Sequence, residues 1–194
     1  MRQRLMFLGV AMATVVTVLA VGRLAVGDDG PTLRDVASGI RTLQPNADLE
    51  RAEELAVVFR DAGHRNNHDP LLLVAISFRE SSLLRRVEAR RQLGALGEFG
   101  LMQNHGVSVG FRPADCDHHL LPTHPERSRA YCQVQTGAAF LSHAREQCGG
   151  SWWRWVAAYG MSSCPSEGYA RTVRGAQRAN RYYNQIGGTQ WPRP

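Results

Sequence analysis

Glu80 sits in the run Arg79-Glu80-Ser81-Ser82, at the end of a stretch, Leu71–Ile76 and Phe78, that is otherwise apolar. Leu73, Ile76, Ser77 and Glu80 follow the i, i+3, i+4, i+7 spacing that puts side chains on one helix face. A carboxylate on an apolar stripe loses solvation, which favours its protonated form. A carboxyl that stays protonated near neutral pH can donate to a glycosidic oxygen. The competing arrangement is a glutamate at a helix C-terminus that turns into water. Glu98 is a second carboxylate, in Gly97-Glu98-Phe99-Gly100-Leu101-Met102-Gln103. Facing the same cleft it would activate a water molecule; as an ordinary turn residue, the expectation adopted here, it faces solvent. Asp115-Cys116-Asp117-His118-His119, with His124 and Cys132 beyond, offers side chains that suit zinc. The spacing matches no standard zinc pattern, so we expect a polar loop tied by a disulfide and no metal. His64 and His68 flank a helix boundary and are expected in solvent.

The elements that must position these residues are helical. Asp69-Pro70 is a start signal, an N-cap residue followed by proline at the first helical position, and the helix it opens runs to about Leu84. Being apolar nearly all round, it should be the central buried helix. Asp48 caps an earlier helix from Leu49 to about Ala62, with Gly63 as its stop. The stretch 85–124 carries Gly94, Gly97, Gly100, Gly106 and Gly110 and lacks sustained periodicity, so it reads as irregular loop with room for a small hairpin. A third helix is expected over 125–147. Ser151 caps a short helix bearing Trp152, Trp153, Trp155 and Tyr159, of which Trp152, Trp155 and Tyr159 share a face read mainly as core. Ser166 caps a last helix to about Asn184, with Tyr169, Val173, Ala176 and Tyr183 as its inward stripe. Arg171, Arg174, Arg178 and Arg181 form a solvated stripe roughly opposite. No convincing alternating strand appears, so the chain is mainly α.

A length of 194 residues suits one domain. The net charge is +6 and all 23 basic residues are Arg. A mildly basic body suits an anionic polymer, and no nucleic-acid motif accompanies the charge. Arg2 and Arg4 precede Leu5–Gly22, 18 uncharged residues ended by Arg23. That length lies between a secretory signal and a spanning helix. Residues 1–27 are therefore a signal peptide or an N-terminal membrane anchor, and the body is exported in either case. Residues 28–47 read as a linker with a short helix at 32–43, 48–186 as the domain, and 187–194 as a loose tail. Cys116, Cys132, Cys148 and Cys164 recur every 16 residues. An even number in an exported chain favours disulfides. Three pairings exist, and nearest-neighbour pairing, Cys116–Cys132 and Cys148–Cys164, is favoured. Each bridge would contribute roughly 3 kcal/mol by closing its loop.

Four motifs in order carry a resemblance: Glu80-Ser81-Ser82, Gly97-x-x-Gly100-Leu101-Met102-Gln103, Ala157-Ala158-Tyr159 and Gly168-Tyr169-Ala170. Together they resemble the soluble lytic transglycosylases, a branch of the lysozyme-like superfamily, over about residues 48–184. The resemblance implies a single lysozyme-like domain that cleaves peptidoglycan between N-acetylmuramic acid and N-acetylglucosamine. Glu80 would act as acid and then base, leaving a 1,6-anhydromuramyl end, with no cofactor. Ser81, Gln103, Tyr159 and Tyr169 would meet the glycan strand, with Tyr159 helping to orient Glu80. Leu101 and Met102 are expected in the core. The alternatives are a hydrolytic muramidase on the same fold and a non-catalytic peptidoglycan-binding or scaffold domain. The expected setting is the periplasm or cell envelope, as a monomer, associated with the inner membrane if residues 1–27 are retained. The family's Ala-Tyr-Asn reads Ala158-Tyr159-Gly160 here, and no Ser occurs between Ser82 and Ser108.

Overall fold

The structure is a computed structural model and describes residues 30–161 and 163–188. The expected export segment 1–27 and residues 189–194 of the expected tail lie outside the described residues. Helix α1, Leu33–Leu43, is opened by a capping box between Thr32 and Asp35. It is more than a linker element, because Val36 and Ile40 are fully buried in the main core against the helix that follows. Helix α2, Leu49–Asn66, starts where the sequence indicates, with the Asp48 carboxylate accepting from the Arg51 amide at 2.6 Å. It runs past Gly63 and stops at Asn67, which adopts φ 51°. Gly63 serves close approach instead of termination: a Cβ there would lie 2.7 Å from the His68 carbonyl oxygen and 2.9 Å from Pro70 Cγ.

Helix α3, Pro70–Ser81, is the central helix, packed against α1, α2 and α9 (Arg174–Gln185). Leu71–Ser77 are buried on every side, as its composition requires. Asp69 caps it through the Leu71 amide (2.8 Å), and Ser82 and Leu83, both at positive φ, end it. Helices α4, Arg85–Glu88, and α5, Gly106–Val109, are single turns within the glycine-rich region. The hairpin allowed for there is reduced to isolated antiparallel bridges, Phe99 with Asn104 and Cys116 with Pro122. Helix α6, Arg129–Cys148, is capped by Ser128, and α7, Trp152–Met161, buries Trp155 and Tyr159.

The last expected helix is two helices: α8, Glu167–Thr172, and α9, separated at Val173 with ψ 114°. The Gln177 amide donates to the Arg171 carbonyl at 2.9 Å, satisfying an acceptor the break exposes. The break also divides the expected inward stripe. Ala176 and Tyr183 are buried, while Tyr169 is 56% exposed. Arg171, Arg174, Arg178 and Arg181 are exposed.

Disulfides join Cys116 to Cys132 and Cys148 to Cys164, the nearest-neighbour pairing. The first closes over a small cluster of Phe99, Leu120 and Tyr131. His68 departs from its expected place in solvent. It is 4% exposed, its Nε2 lies 3.1 Å from the Ala138 carbonyl and 2.9 Å from Ser142 Oγ, and its ring packs on Trp155. The cause is tertiary: α6 and α7 cover the α2–α3 corner, which the local sequence does not announce.

Candidate active site

Glu80 occupies the last turn of α3, with its side chain 22% exposed. It ion-pairs with the guanidinium of its neighbour Arg79, whose side chain is only 8% exposed. On a carboxyl, an adjacent cation and apolar surroundings act in opposite senses. Burial pushes the Arg79 guanidinium below its ordinary pKa; Tyr159 opposes this and Arg178 adds to it.

The Gly97–Gln103 turn is built from backbone that few residues tolerate. Gly97, Gly100 and Gln103 have φ of 85°, 78° and 48°. Paired amide–carbonyl bonds between Phe99 and Asn104 (3.0 and 2.8 Å) close it. Gln133 on α6 anchors it from beneath. Its side-chain oxygen accepts from the Leu101 amide at 2.9 Å, its amide donates to the Glu88 carbonyl at 2.8 Å, and its main-chain carbonyl accepts from Asn104 Nδ2 at 3.0 Å. Gly100 permits this approach, since a Cβ there would lie 2.5 Å from Gln133 Cδ. Leu101 and Met102 are fully buried, as expected.

Tyr159 joins the turn to the Glu80 end of α3. Its hydroxyl donates to the Met102 carbonyl at 2.7 Å, and the next residue on α7, Gly160, approaches Arg79, a Cβ there falling 3.9 Å from Nη2. Burial pushes the Tyr159 hydroxyl well above its ordinary pKa, with Arg79 acting against the shift, so it stays a neutral donor. Glu80, Arg79, Tyr159 and the Met102 backbone therefore form one connected series across α3, α7 and the turn.

The other expected site residues are placed differently. Ser81 is buried, donating to the Ser77 carbonyl (2.8 Å) and accepting from the Leu83 amide (3.1 Å). Gln103 is half-buried and folds its amide onto the Gly100 carbonyl (3.1 Å). Glu98 is half-buried, and its carboxylate accepts from the Leu96 amide at 2.8 Å. Asp115 pairs with Arg127, and Asp117 accepts from the His119 and Leu121 amides, while Cys116 is held in its disulfide. A groove of about 840 Å³ between α2, α4 and the start of α6 is lined by none of the expected site residues.

Residues 57–180 match the family model for the transglycosylase SLT domain. The chain belongs to that family. An SLT domain acts on peptidoglycan in the cell envelope, and its mainly helical, lysozyme-like architecture agrees with the fold described above. No curated protein and no solved structure matches the chain.

The sequence alone does not single out Arg79, Gln133 or Asn104, which the structure brings to the candidate site. Gln133 carried a readable signal. An amide beside Val134 and Ala138 on a buried helix must find partners, and a glycine turn with unsatisfied amides supplies them. Arg79 carried none, because neighbours at i and i+1 on a helix do not ordinarily face each other.

Proposed function

We propose that this SLT domain is a lytic transglycosylase that cleaves the β-1,4 bond between N-acetylmuramic acid and N-acetylglucosamine. The supporting observation is the series from Glu80 through Arg79 to Tyr159-Gly160 on α7 and on to the Gly97–Gln103 turn, which links three of the four motifs to one partly exposed carboxyl. Glu80 protonates the bridging oxygen as the C1–O bond breaks, releasing N-acetylglucosamine with a free 4-hydroxyl. The muramyl 6-hydroxyl then bonds to C1 and returns its proton to Glu80, so one carboxyl serves both steps and no water is consumed. Gly97 faces open space, which leaves the turn's backbone accessible to a sugar.

Of the expected contacts, Tyr169 is exposed and able to meet the glycan, and Gln103 can do so by releasing the Gly100 carbonyl. Tyr159 and Ser81 act indirectly, since their hydroxyls are engaged within the fold. That engagement also favours a second reading, a non-catalytic wall-binding domain. Hydrolysis would need a base for water, and Glu98 is held by the Leu96 amide. We place the protein outside the cytoplasm as a monomer, with residues 1–27 as its signal or inner-membrane anchor. Among the described residues no helix is long and apolar enough to cross a membrane.

Incubating the protein with purified sacculi and analysing the products by mass spectrometry tests this. Products ending in 1,6-anhydromuramic acid, lost in Glu80→Gln, are expected. Reducing ends carrying an added water would establish hydrolysis. Sacculus binding without turnover would establish the binding domain.

A further inference from the structure

Arg79 is a buried cation with a prepared seat. The position of a Cβ on Gly175 is 2.9 Å from Arg79 Nη1, and that on Gly160 is 3.9 Å from Nη2. Gly175 lies two residues past the break at Val173, so the separation of α8 from α9 and the absence of a side chain at Gly175 together make room for the guanidinium. Gly160, where the family pattern has Asn, bounds the other side on α7. The charged and titratable groups acting on the cation are Glu80 on its own helix, Tyr159 from α7 and Arg178 from α9. Glu80 is the acidic group among them, because Tyr159 stays protonated. A buried cation costs free energy unless it is paired, so the fold has kept Arg79 with Glu80 as its counter-ion.

We infer that Arg79 is the positioning residue of the general acid, seated between Gly160 and Gly175 so that its guanidinium orients the Glu80 carboxyl and stabilises the carboxylate formed as the proton leaves. This inference rests on the proposed role of Glu80. Developing negative charge on Glu80 meets a fixed positive partner at the moment of proton transfer, which strengthens the acid where it matters. A fixed cation beside a carboxyl favours its ionised form, so removing the charge of Arg79 should extend activity to higher pH.

The test is the pH profile of kcat/KM for sacculus solubilisation by the wild type, Arg79→Gln and Arg79→Lys. In Arg79→Gln the alkaline limb should move up by roughly 1–3 pH units, with a lower maximum. Arg79→Lys, which keeps the charge, should return the limb toward the wild-type position. A lower maximum with an unmoved limb in Arg79→Gln would make Arg79 a structural residue and overturn the inference. If Arg79→Gln does not fold, the Glu80 carboxyl is titrated by 13C NMR in the wild type. A midpoint below the roughly 4.3 of an ordinary glutamate supports the inference, and one at or above it refutes it. Failure of the underlying acid assignment is distinct: it would appear as a wild type without turnover or an active Glu80→Gln.

Discussion

Lowering the pH should weaken the fold through one residue, His68. In the native state its Nε2 bonds to Ala138 and Ser142, and its Nδ1 is buried with no partner. Adding a proton at Nδ1 would place a charge where nothing accepts it. Burial, followed by repulsion from Arg145, therefore lowers the pKa from 6.5 to about 4, against the opposing pull of the Ala138 carbonyl. The unfolded chain takes up the proton first as pH falls through 6.5. His68's contribution is thus fully present above that value, is lost progressively toward pH 4, and levels off below. The full loss is roughly 3 kcal/mol, and about 2 kcal/mol of it is gone by pH 5. Urea unfolding of wild type and His68→Gln at pH 7 and pH 5 measures it. Other groups that titrate in this range cancel in the comparison, including buried Asp69, whose raised pKa acts with the opposite sign. The wild type should lose about 2 kcal/mol more than the variant between the two pH values. Equal losses would refute a neutral, buried imidazole.

Three other outcomes are expected. Gly100→Ala should destabilise by on the order of 3 kcal/mol, from a side chain at positive φ and displacement of the Gln133 amide. Thermal melts and sacculus turnover should fall together. Tyr183→Phe removes the hydroxyl that donates to the Asp69 carboxylate at 2.5 Å. It should cost about 1.5–3 kcal/mol by denaturant titration, and a loss under 0.5 would show that bond to be dispensable. Replacing Cys148 and Cys164 together by Ser should cost roughly 3 kcal/mol, and treating the wild type with reductant before melting should lower its Tm at least as far.

What was legible in the sequence follows the range of the forces involved. The starts of α2, α3 and α8 were readable because Asp48, Asp69 and Ser166 each satisfy amides within three residues of themselves. The buried central helix was readable from its all-round apolar composition. Gly63 reads as a stop because glycine ends helices, yet it also admits close neighbours, and only the folded α2–α3 corner distinguishes the two. The stretch from Ser166 to Asn184 holds no proline, so its sequence reads as one capped helix across the break at Val173. Glu80 is legible from its position at the end of the apolar run, whereas its ion pair with Arg79 is not, because adjacent helix residues do not ordinarily face each other.

The two disulfides close consecutive loops that neither overlap nor interlock. Were the chain delivered N-terminus first into an oxidising space, as the proposed export implies, Cys116 would meet Cys132 before Cys148 emerged, and Cys148 would meet Cys164 after the first two thiols were consumed. The native pairing is then also the pairing of first encounter. A chain so delivered would have little need of an isomerase, since order of arrival would favour one connectivity of the three.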